Sequence, residues 1–469
     1  MVQVMSSSQP PGEFCPYYPP PRQTKAGLWK MFFSARHSWL DALYERSYTM
    51  RMGEVHLPGL ALFMANQPDA VKQVMEDKQA AFPKSPLLGK ALEPLLGESI
   101  FTTNGAQWER QRAMMDPAFA LARLQVAFPP MQSAVNAMLA RLAALPTGTE
   151  HDIEVEMTHV TADIIFRTIF SQPMEGDDAR RIFHAFARFQ ELAPRLMLPS
   201  LFGVRWLVWP WDMWRSRRAA GEIRHLLEKL IRPRYAAYQQ AAEDQPRDIL
   251  QSFMEARDAT SGTPFNFEEL VDQVAMLFLA GHETSASALT WACHLIAHRK
   301  DIQDRIHAEA AALGEPASLQ ASDLKTLELI RNVFRETLRL FPPVGFIARQ
   351  ASTACPLGGK QLNTGDTLVV APWLIQRHRK YWQSPDHFDP DRFDKTETRD
   401  SLRQAYLPFG MGPRVCLGAA FALQEATLIL ARLVRDYELT PIPGHVPLPV
   451  GRLTIRSANG VRLLLTRRN

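Results

Sequence analysis

The strongest chemical signal in the chain is a cysteine that follows a glycine-rich stretch. Cys416 lies in LPFGMGPRVCLGAAFA, residues 407–422, with Arg414 two residues before it and Gly418 two residues after it. A thiolate can act as a nucleophile, as a redox group or as a metal ligand. A helix beginning near Leu417 would aim its first N–H groups at the sulfur and stabilise the thiolate charge.

The residues around this cysteine indicate a flat partner that carries carboxylates. Gly410 and Gly412 let the backbone turn tightly and come close to another group. Arg414 adds a cation that is suited to a carboxylate. A hydrogen-bonded thiolate beside such a partner is typical of a haem site. A buried structural cysteine in a glycine loop is the alternative interpretation.

Residues 409–418, FGMGPRVCLG, resemble the haem-binding signature of the cytochrome P450 family. The positions that the signature specifies are all filled, by Phe409, Gly412, Arg414, Cys416 and Gly418. The resemblance implies a haem b cofactor, iron protoporphyrin IX, with the Cys416 thiolate as its axial ligand. It also implies a set of residues that contact the cofactor, namely Phe409, Gly410, Arg414 and Gly418.

A glutamate and two arginines form a second pattern of the same family. Glu336 and Arg339 are three residues apart in RETLRL and share a helix face. An isolated pair of this kind is usually exposed, but here it resembles the family's ExxR motif. The PDRF sequence at 390–393 resembles the family's PERF-like box, with Asp391 in place of glutamate, and supplies Arg392. The resemblance implies a structural trio that holds the loop presenting the cysteine, and losing one partner of such a buried group is costly.

A polar stretch interrupts the most apolar helix that the sequence predicts. AGHETS, residues 280–285, contains a glycine and two hydroxyl residues, which are poor choices for a helix interior. The Thr284 hydroxyl can donate to the Ala280 carbonyl and open a groove beside the helix. The resembling family uses this groove to bind O₂ and deliver protons, and Glu283 and Thr284 match its acid–alcohol pair. Ala280 and Gly281 would then contact the cofactor; the alternative is a kinked helix with a surface glutamate.

GAQWERQR, residues 105–112, resembles the family's WxxxR helix, which bonds a haem propionate. Trp108 and Arg112 fall on one helix face, about one turn apart. By the same resemblance, Arg414 and Arg349 bond the propionates as well. For Arg349, a surface position on a strand is the alternative.

The resemblance also places the substrate pocket, with walls at 86–104, 196–214, 276–280 and 344–348. The candidate pocket residues are Phe101, Met276, Val344, Phe346 and Ile347. They are mostly apolar, which indicates a small hydrophobic substrate such as a terpenoid, fatty acid, alkane or aromatic compound. The tryptophans of 196–214 could cap the entrance, contact a membrane surface or pack as core; they are Trp206, Trp209, Trp211 and Trp214.

Apolar periodicity predicts that most of the chain is helical. Helices are expected at 68–77, 105–116, 128–145, 156–171, 178–192, 214–241, 266–298 and 326–340. The middle of the 266–298 segment is apolar all round, so this helix should be buried on every side. Residues 51–65 predict a hairpin, and Asn459-Gly460 predicts a two-residue hairpin turn within 451–466. The predicted fold class is mostly α with a small β-rich part (α+β), and the resemblance implies a triangular helical body around one buried haem.

Composition limits the classes of protein that the chain can belong to. The chain has 469 residues, of which 46% are hydrophobic and 22% charged, and its net charge of +4 gives no support to nucleic-acid binding. The sequence contains no run of about 20 apolar residues, so no transmembrane anchor is predicted. Four widely separated cysteines favour a reducing, cytoplasmic location, with peripheral membrane contact through 196–214 as an option. We expect residues 1–24 to be a flexible, proline-rich arm and residues 25–469 to be a single haem domain.

The acid–threonine pair favours O₂-dependent monooxygenation, because family members that use peroxide directly typically lack it. The expected reaction is hydroxylation, epoxidation or dealkylation with two electrons. No flavin- or iron–sulfur-type segment follows Cys416, so we expect a separate ferredoxin or flavodoxin with its reductase. Candidate docking cations are Arg110, Arg399 and Arg403, with ordinary solvated charge as the alternative for each.

Three other classes stay open on the sequence alone. A thiolate-haem sensor or binding protein without turnover would explain Cys416 but has no need for the Glu283–Thr284 pair. A zinc protein is disfavoured, because no cysteines or histidines have tetrahedral-site spacing. A helical interaction scaffold explains none of the motifs.

Overall fold

Helices dominate the computed structural model, which describes residues 14–24, 27, 38–57, 60–77, 80–175, 177–201, 209–315 and 318–468. The α-helices are, in chain order, α1 Pro68–Met75, α2 Pro86–Leu96, α3 Gly105–Met115, α4 Leu121–Ala143, α5 Ile153–Phe170, α6 Asp177–Leu201, α7 Pro210–Gln239, α8 Ile249–Glu255, α9 Phe267–Ala297, α10 Lys300–Ala311, α11 Glu328–Leu340, α12 Pro372–Ile375, α13 Arg399–Ala405 and α14 Ala419–Asp436. The strands are β1 Met52–Leu57, β2 Leu60–Ala65, β3 Thr149–Asp152, β4 Ile347–Gln350, β5 Cys355–Leu357, β6 Lys360–Leu362, β7 Thr367–Val370, β8 Tyr437–Pro441, β9 Pro449–Gly451, β10 Ile455–Ser457 and β11 Arg462–Arg467.

The long helix α9 lies at the centre of the body. Its first turn is capped reciprocally, because the Asn266 side chain accepts from the Glu269 amide and the Glu269 side chain accepts from the Asn266 amide. Most of its side chains are buried, among them Phe278, Leu289 and Trp291. It packs against α5, α7, α11 and α14. This confirms the predicted helix and its burial on every side.

The strands form small sheets beside the helices. The largest sheet has the order β1-β2-β7-β4, in which the β1–β2 hairpin is antiparallel and β2 pairs with β7 in parallel. A second sheet has the order β3-β11-β8, and the pairs β9–β10 and β5–β6 complete the set among the described residues. The predicted α+β class and the hairpin at 51–65 are confirmed.

The predicted hairpin around Asn459-Gly460 is wrong. β10 pairs with β9, whereas β11 pairs with β3 and β8. An ideal Cβ at Gly460 would lie 2.6 Å from Asp152 Oδ2, and Asp152 Oδ1 accepts a hydrogen bond from the Val461 amide. The turn therefore closes against the N-cap residue of α5, and its two strands leave toward different sheets.

Several helix boundaries also differ from the prediction. α4 begins at Leu121 rather than at residue 128 and continues through Pro129 and Pro130. Its buried face spans the prolines, since Leu124 and Met131 both lie in the core. Packing thus outweighs the helix-breaking tendency of proline. Helices α2, α8, α10, α12 and α13 had no counterpart among the predicted segments.

Residues 14–24 of the expected arm lie against the helical body. The Phe14 ring stacks on His298 with 4.7 Å between the ring centroids. The Tyr18 hydroxyl donates to Asp386 Oδ2 over 3.0 Å. The flexibility of an arm over 1–24 and the single domain over 25–469 both stay predictions. No helix within the described ranges has the length and hydropathy needed to cross a membrane.

Candidate active site

A cavity of about 640 Å³ lies between α9 and the loop that carries Cys416. Its wall is mostly apolar and includes parts of α2, α3, β1 and β4. The structure brings the sequence-predicted cofactor and catalytic residues together at this cavity; they are Trp108, Arg112, Ala280, Gly281, Glu283, Thr284, Arg349, Phe409, Gly410, Arg414, Cys416 and Gly418.

Cys416 is exposed to the cavity just before α14. Its amide donates to the Phe409 carbonyl over 2.9 Å, which closes the loop. Burial raises the pKa of the Cys416 thiol, while a hydrogen bond from the Gly418 amide and the charge of Arg112 act in the opposite direction. A bound metal such as a haem iron would favour the thiolate form of a thiol in this position.

Two glycines of the loop, Gly412 and Gly418, differ in what surrounds them. Gly412 has a φ of +71°, and an ideal Cβ there would lie 2.2 Å from the Met75 carbonyl oxygen. Its predicted close approach is therefore to the end of α1, not to a cofactor. At Gly418, by contrast, nothing lies within 4 Å of an ideal Cβ. The missing side chain leaves open space near the sulfur, which is what a flat group bound to Cys416 requires.

Two arginines at the cavity, the buried Arg349 and the half-buried Arg414, form no ion pair within the described part of the chain. Arg414 Nη1 is buried without a hydrogen-bond partner, and Arg349 donates only to the neighbouring Ala348 carbonyl. Burial and the nearby charge of Arg414 lower the pKa of Arg349 to about 10. Uncompensated buried charge is unfavourable, so this corner of the cavity fits a ligand with carboxylates, such as the propionates of haem. The burial of Arg349 excludes the surface alternative.

Lys84 is a third basic residue at this corner, and the sequence analysis missed it. Its Nζ donates to the carbonyls of Ile100 and Thr103 and lies 5.8 Å from the centroid of the Trp108 ring. Burial and three arginines lower the pKa of Lys84 to about 6. An isolated β-bridge to Arg349 brings Lys84 there, and no local pattern in the sequence announces that contact.

Trp108 and Arg112 lie on the same face of α3, as predicted. Arg414 covers the Trp108 ring with its guanidinium carbon 5.1 Å from the ring centroid. Arg112 Nη1 donates to the Val415 carbonyl over 2.7 Å, and Arg112 Nε donates to Asp116 over 2.6 Å. Arg112 thus holds the residue before the cysteine. Its bond to a propionate stays a prediction.

The polar stretch of α9 faces the cysteine loop across the cavity. Thr284 Oγ1 donates to the Ala280 carbonyl over 2.7 Å, which confirms the predicted hydrogen bond. The helix is continuous through this stretch. An ideal Cβ at Gly281 would lie 3.0 Å from Ile165 Cδ1, so this glycine allows α9 to pack closely on α5.

Glu283 is buried, so the surface-glutamate alternative is wrong. Arg456 Nε and Nη2 donate to its two carboxylate oxygens over 2.8 and 2.5 Å, and Thr454 donates to Oε1 over 2.6 Å. Burial favours the protonated form, but Arg456 outweighs it and holds the pKa of Glu283 below its usual value. Arg456 Nη1 also donates to Glu154 over 2.7 Å. The sequence analysis missed Arg456, which lies in the wrongly predicted hairpin.

A second buried carboxyl, Glu425, lies behind the same stretch of α9. Ser285 Oγ donates to its Oε2 over 2.8 Å and so joins α9 to α14. Burial raises the pKa of Glu425 to about 8, which keeps the carboxyl protonated at neutral pH. A glutamate within an amphipathic helix gives no signal of this kind in the sequence.

The trio of Glu336, Arg339 and Arg392 is present and buried. Arg339 Nε and Nη2 each donate to Glu336 over 2.8 Å, and Arg392 Nε donates to Glu336 over 3.2 Å. Arg339 Nη1 also donates to the Gln376 carbonyl, and Gln376 Oε1 accepts from the Leu407 amide over 2.8 Å. Gln376, which the sequence analysis missed, thus connects the trio to the start of the cysteine loop.

All predicted pocket residues border the cavity: Phe101, Met276, Val344, Phe346 and Ile347. Trp206 lies outside the described residues. Trp209, Trp211 and Trp214 are 67%, 58% and 49% exposed, so packing as core is wrong for these three. None of the three is in the cavity wall, and capping the entrance and contact with a membrane surface both stay predictions.

Arg110 is not a free docking cation. Arg110 Nη1 donates to Glu269 over 2.6 Å, and its guanidinium lies over the Phe265 ring. Arg403 forms an exposed ion pair with Asp400. Among the described residues, the exposed Arg399 has no ion-pair partner.

A cysteine loop that faces a polar helix stretch across an apolar cavity defines a haem-thiolate oxygenase. The chain matches the family model described as Cytochrome P450 over residues 22–459, and it belongs to the cytochrome P450 family. It is a P450 monooxygenase with a haem-thiolate cofactor, and it uses O₂ and a redox partner to oxidise a hydrophobic substrate.

Several curated proteins are similar to the chain over most of their length. Cyclooctatin synthase from Streptomyces melanosporofaciens is 30% identical over 83% of this chain and 83% of its own. Cyclooctat-9-en-7-ol 5-monooxygenase from the same organism is 29% identical, also over 83% of each chain. Pentalenene oxygenase from Streptomyces avermitilis is 28% identical over 88% of this chain and 90% of its own.

Proposed function

We propose that Cys416 is the axial thiolate ligand of a haem b iron and that this P450 hydroxylates a mainly hydrocarbon substrate of the terpenoid class. The observation that best supports this proposal is that Cys416 and the Thr284–Ala280 hydrogen bond border one apolar cavity. When bound, the haem supplies O₂ activation and oxygen transfer, while the protein supplies the ligand, the proton path and the shape of the pocket.

In this proposal, the basic residues and Trp108 at one corner of the cavity hold the haem propionates. Arg414 and Arg349 offer guanidinium groups that lack an acidic partner within the described ranges. Lys84, Trp108 and Arg112 complete the set at the same corner. Carboxylates placed here would compensate buried charge, which favours tight binding of the cofactor in one orientation.

Thr284 and Glu283 handle the protons. The Thr284 hydroxyl already donates to Ala280, so its oxygen is oriented to accept a hydrogen bond from water in the groove. Glu283 stands at one end of a chain of ionic contacts through Arg456 to Glu154. Arg456 and Glu154 are partly exposed, so this chain forms a polar connection between the cavity wall and solvent.

The substrate class rests on the cavity wall and on the relatives. The names of the relatives state their substrates or products: pentalenene is an unsaturated hydrocarbon by its name, and cyclooctat-9-en-7-ol an unsaturated alcohol. The predicted pocket residues of this chain are apolar, in line with such a compound. A fatty acid, an alkane or an aromatic compound is the alternative that the same wall permits.

The electron donor is a separate ferredoxin or flavodoxin with its own reductase. Arg399 and Arg403 are the exposed cations proposed to contact an acidic donor, and the side chain of Arg403 is 76% exposed although it pairs with Asp400. Arg110 is withdrawn from that set because its side chain is only 24% exposed and pairs with Glu269. A reduction rate that falls steeply with added salt would support docking by charge.

A cytoplasmic location agrees with the free cysteines at 293, 355 and 416. We also place a peripheral contact with an anionic membrane surface at the start of α7. Trp211 and Trp214 stack with 5.0 Å between centroids and are exposed, and the exposed Arg215 and Arg217 follow. Exposed tryptophans beside arginines suit the interface of an anionic bilayer. Equal sedimentation of the protein with anionic and neutral vesicles would contradict this placement.

The test of the proposed function is turnover with labelled oxygen. The purified holoprotein is mixed with a ferredoxin, its reductase and NADPH under ¹⁸O₂, with pentalenene and a long-chain fatty acid as separate substrates. We expect a product of the hydrocarbon that carries one ¹⁸O atom, formed only when reductant is present. Label taken from water, or turnover of the fatty acid alone, would contradict the reaction or the substrate class respectively.

A further inference from the structure

One buried carboxylate joins three segments around the cavity. Asp272 lies on α9, twelve positions before Thr284, and its side chain is only 10% exposed. Its Oδ1 accepts from Arg224 Nη1 of α7 over 2.6 Å. Its Oδ2 accepts from the backbone amide of Glu98 over 2.8 Å, in the loop between α2 and α3. The same Arg224 nitrogen also donates to the Leu95 carbonyl of α2 over 3.1 Å.

The loop at 97–104 is shaped to receive this carboxylate. Gly97 has a φ of +48°, and the three atoms nearest an ideal Cβ there all belong to the Asp272 carboxyl group, at 2.2 to 2.3 Å. Only glycine leaves room for the carboxylate. The neighbouring Gln273 accepts from the Ile100 amide over 3.0 Å, so α9 holds the loop at two successive positions.

Two of the segments joined by Asp272, α9 and the loop at 97–104, also form part of the wall of the cavity. Ile100 and Phe101 of the loop border the cavity, and so does Leu96 at the end of α2. A large ligand that passes this part of the wall has to displace the loop from α9. This movement breaks hydrogen bonds to a charged, largely buried group, which are among the stronger ones in proteins.

We propose that Asp272, fixed by Arg224 of α7, is a positioning residue that holds the 97–104 loop closed over the cavity, and thereby limits how fast a bulky hydrophobic ligand enters and leaves. The inference rests on the proposed function for the identity of the ligand. It goes beyond that function by assigning to Asp272 the control of ligand passage. Asp272 does not border the cavity, so it acts through the loop and through Arg224.

The test compares a bulky and a small ligand of the haem in the holoprotein. The bulky probe is 4-phenylimidazole and the small probe is carbon monoxide, each mixed in stopped flow with the wild type, Asp272→Ala and Arg224→Met. We expect both variants to raise the association and dissociation rates of 4-phenylimidazole about tenfold, in line with the loss of a charge-assisted hydrogen bond. The carbon monoxide rates should change less than about twofold, because a diatomic molecule needs a smaller opening.

Arg234→Met is the matched control. Arg234 lies on the same helix α7 and forms a similar buried pair with Asp248, with Nη1–Oδ2 of 2.8 Å, but within the described residues this pair makes no hydrogen bond to the 97–104 loop. It should lower stability without changing the azole rates. If Asp272→Ala fails to fold, Asp272→Asn keeps one acceptor oxygen and is expected to give a smaller change in the same direction.

Amide hydrogen exchange gives a second readout that needs no ligand or turnover. The Glu98 amide donates directly to Asp272, so peptides covering 97–104 should exchange faster in Asp272→Ala and Arg224→Met than in Arg234→Met. Faster exchange with unchanged azole rates would overturn the gate, and unchanged exchange would overturn the closure itself. A wild-type protein that binds no azole would count against the proposed haem site, while the exchange result would still decide on the closure.

Discussion

Arg456 and Glu283 form a two-pronged ion pair, with Arg456 Nε and Nη2 on the two carboxylate oxygens at 2.8 and 2.5 Å. The pair joins β10 to the polar stretch of α9, next to Thr284. The C-terminal strands therefore support the wall of the active site. The ion pair fixes the orientation of the Glu283 side chain and favours its ionised form.

Removing Arg456 should be costly because Glu283 would stay buried without its cation. We expect Arg456→Met to lower the free energy of unfolding by about 3–5 kcal/mol. The control is Arg462→Met, which breaks the exposed Arg462–Glu150 pair and should cost at most about 1 kcal/mol. Urea denaturation of the two variants measures both values, and equal losses would contradict a special role of the Arg456 pair.

Thr284→Ala should separate electron use from product formation. The variant loses the hydroxyl that borders the cavity, so we expect a lower ratio of product formed to reductant consumed. Thr290→Ala is the matched control, because Thr290 Oγ1 donates to the Ala286 carbonyl over 2.8 Å in the same helix but does not border the cavity. The ratio is measured from NADPH consumption and product yield. A full yield in Thr284→Ala would remove the threonine from the proton path.

The Glu336 trio should be needed for a folded, haem-loaded protein. Glu336→Gln leaves Arg339 and Arg392 buried with a neutral partner, and we expect a loss of about 3–5 kcal/mol with little haem retained. Asp391→Asn breaks the exposed, also two-pronged pair with Arg305 and should cost at most about 1 kcal/mol. The haem-to-protein absorbance ratio and the unfolding midpoint report the difference. Normal haem content in Glu336→Gln would show that the trio does not hold the cysteine loop.

Glu425 should make the protein less stable as the pH rises. Its pKa is about 8 in the native state against an ordinary value of 4.5, so between these values the native state binds a proton that the unfolded state has released. The free energy of unfolding contributed by this group is therefore full below about pH 4.5 and is lost as the pH rises toward 8. Glu425→Gln should flatten this decline, as seen in urea midpoints measured from about pH 5 to 9. An unchanged slope would mean that Glu425 does not titrate in this range.

The sequence predicted the parts of the site whose spacing is local. Cys416, Arg414 and Gly418 lie within five residues, and Glu283 and Thr284 are adjacent, so a short pattern contains them. The hydrogen bond from Thr284 to Ala280 follows from helix geometry alone. Because these residues are close in the sequence, local backbone geometry alone places them close in space.

The missed residues acquire their roles through contacts between distant segments. Lys84 borders the cavity because a β-bridge sets it beside Arg349, and Arg456 contacts Glu283 although 173 positions separate them in the sequence. The Asn459-Gly460 dipeptide favours a hairpin locally, but β11 finds two partner strands elsewhere. Such long-range pairing outweighs the turn preference, and one sequence does not reveal it.

The most direct test of the central claim is the absorption spectrum of the reduced protein under carbon monoxide, with Cys416→Ser beside it. Cys293→Ser is the control, since Cys293 is buried in α9 and away from the cavity. We predict the far-shifted Soret band of thiolate-ligated haem in the wild type and in Cys293→Ser, and its loss in Cys416→Ser. A Cys416→Ser protein that keeps the shifted band would contradict the assignment of the ligand and, with it, the proposed mechanism.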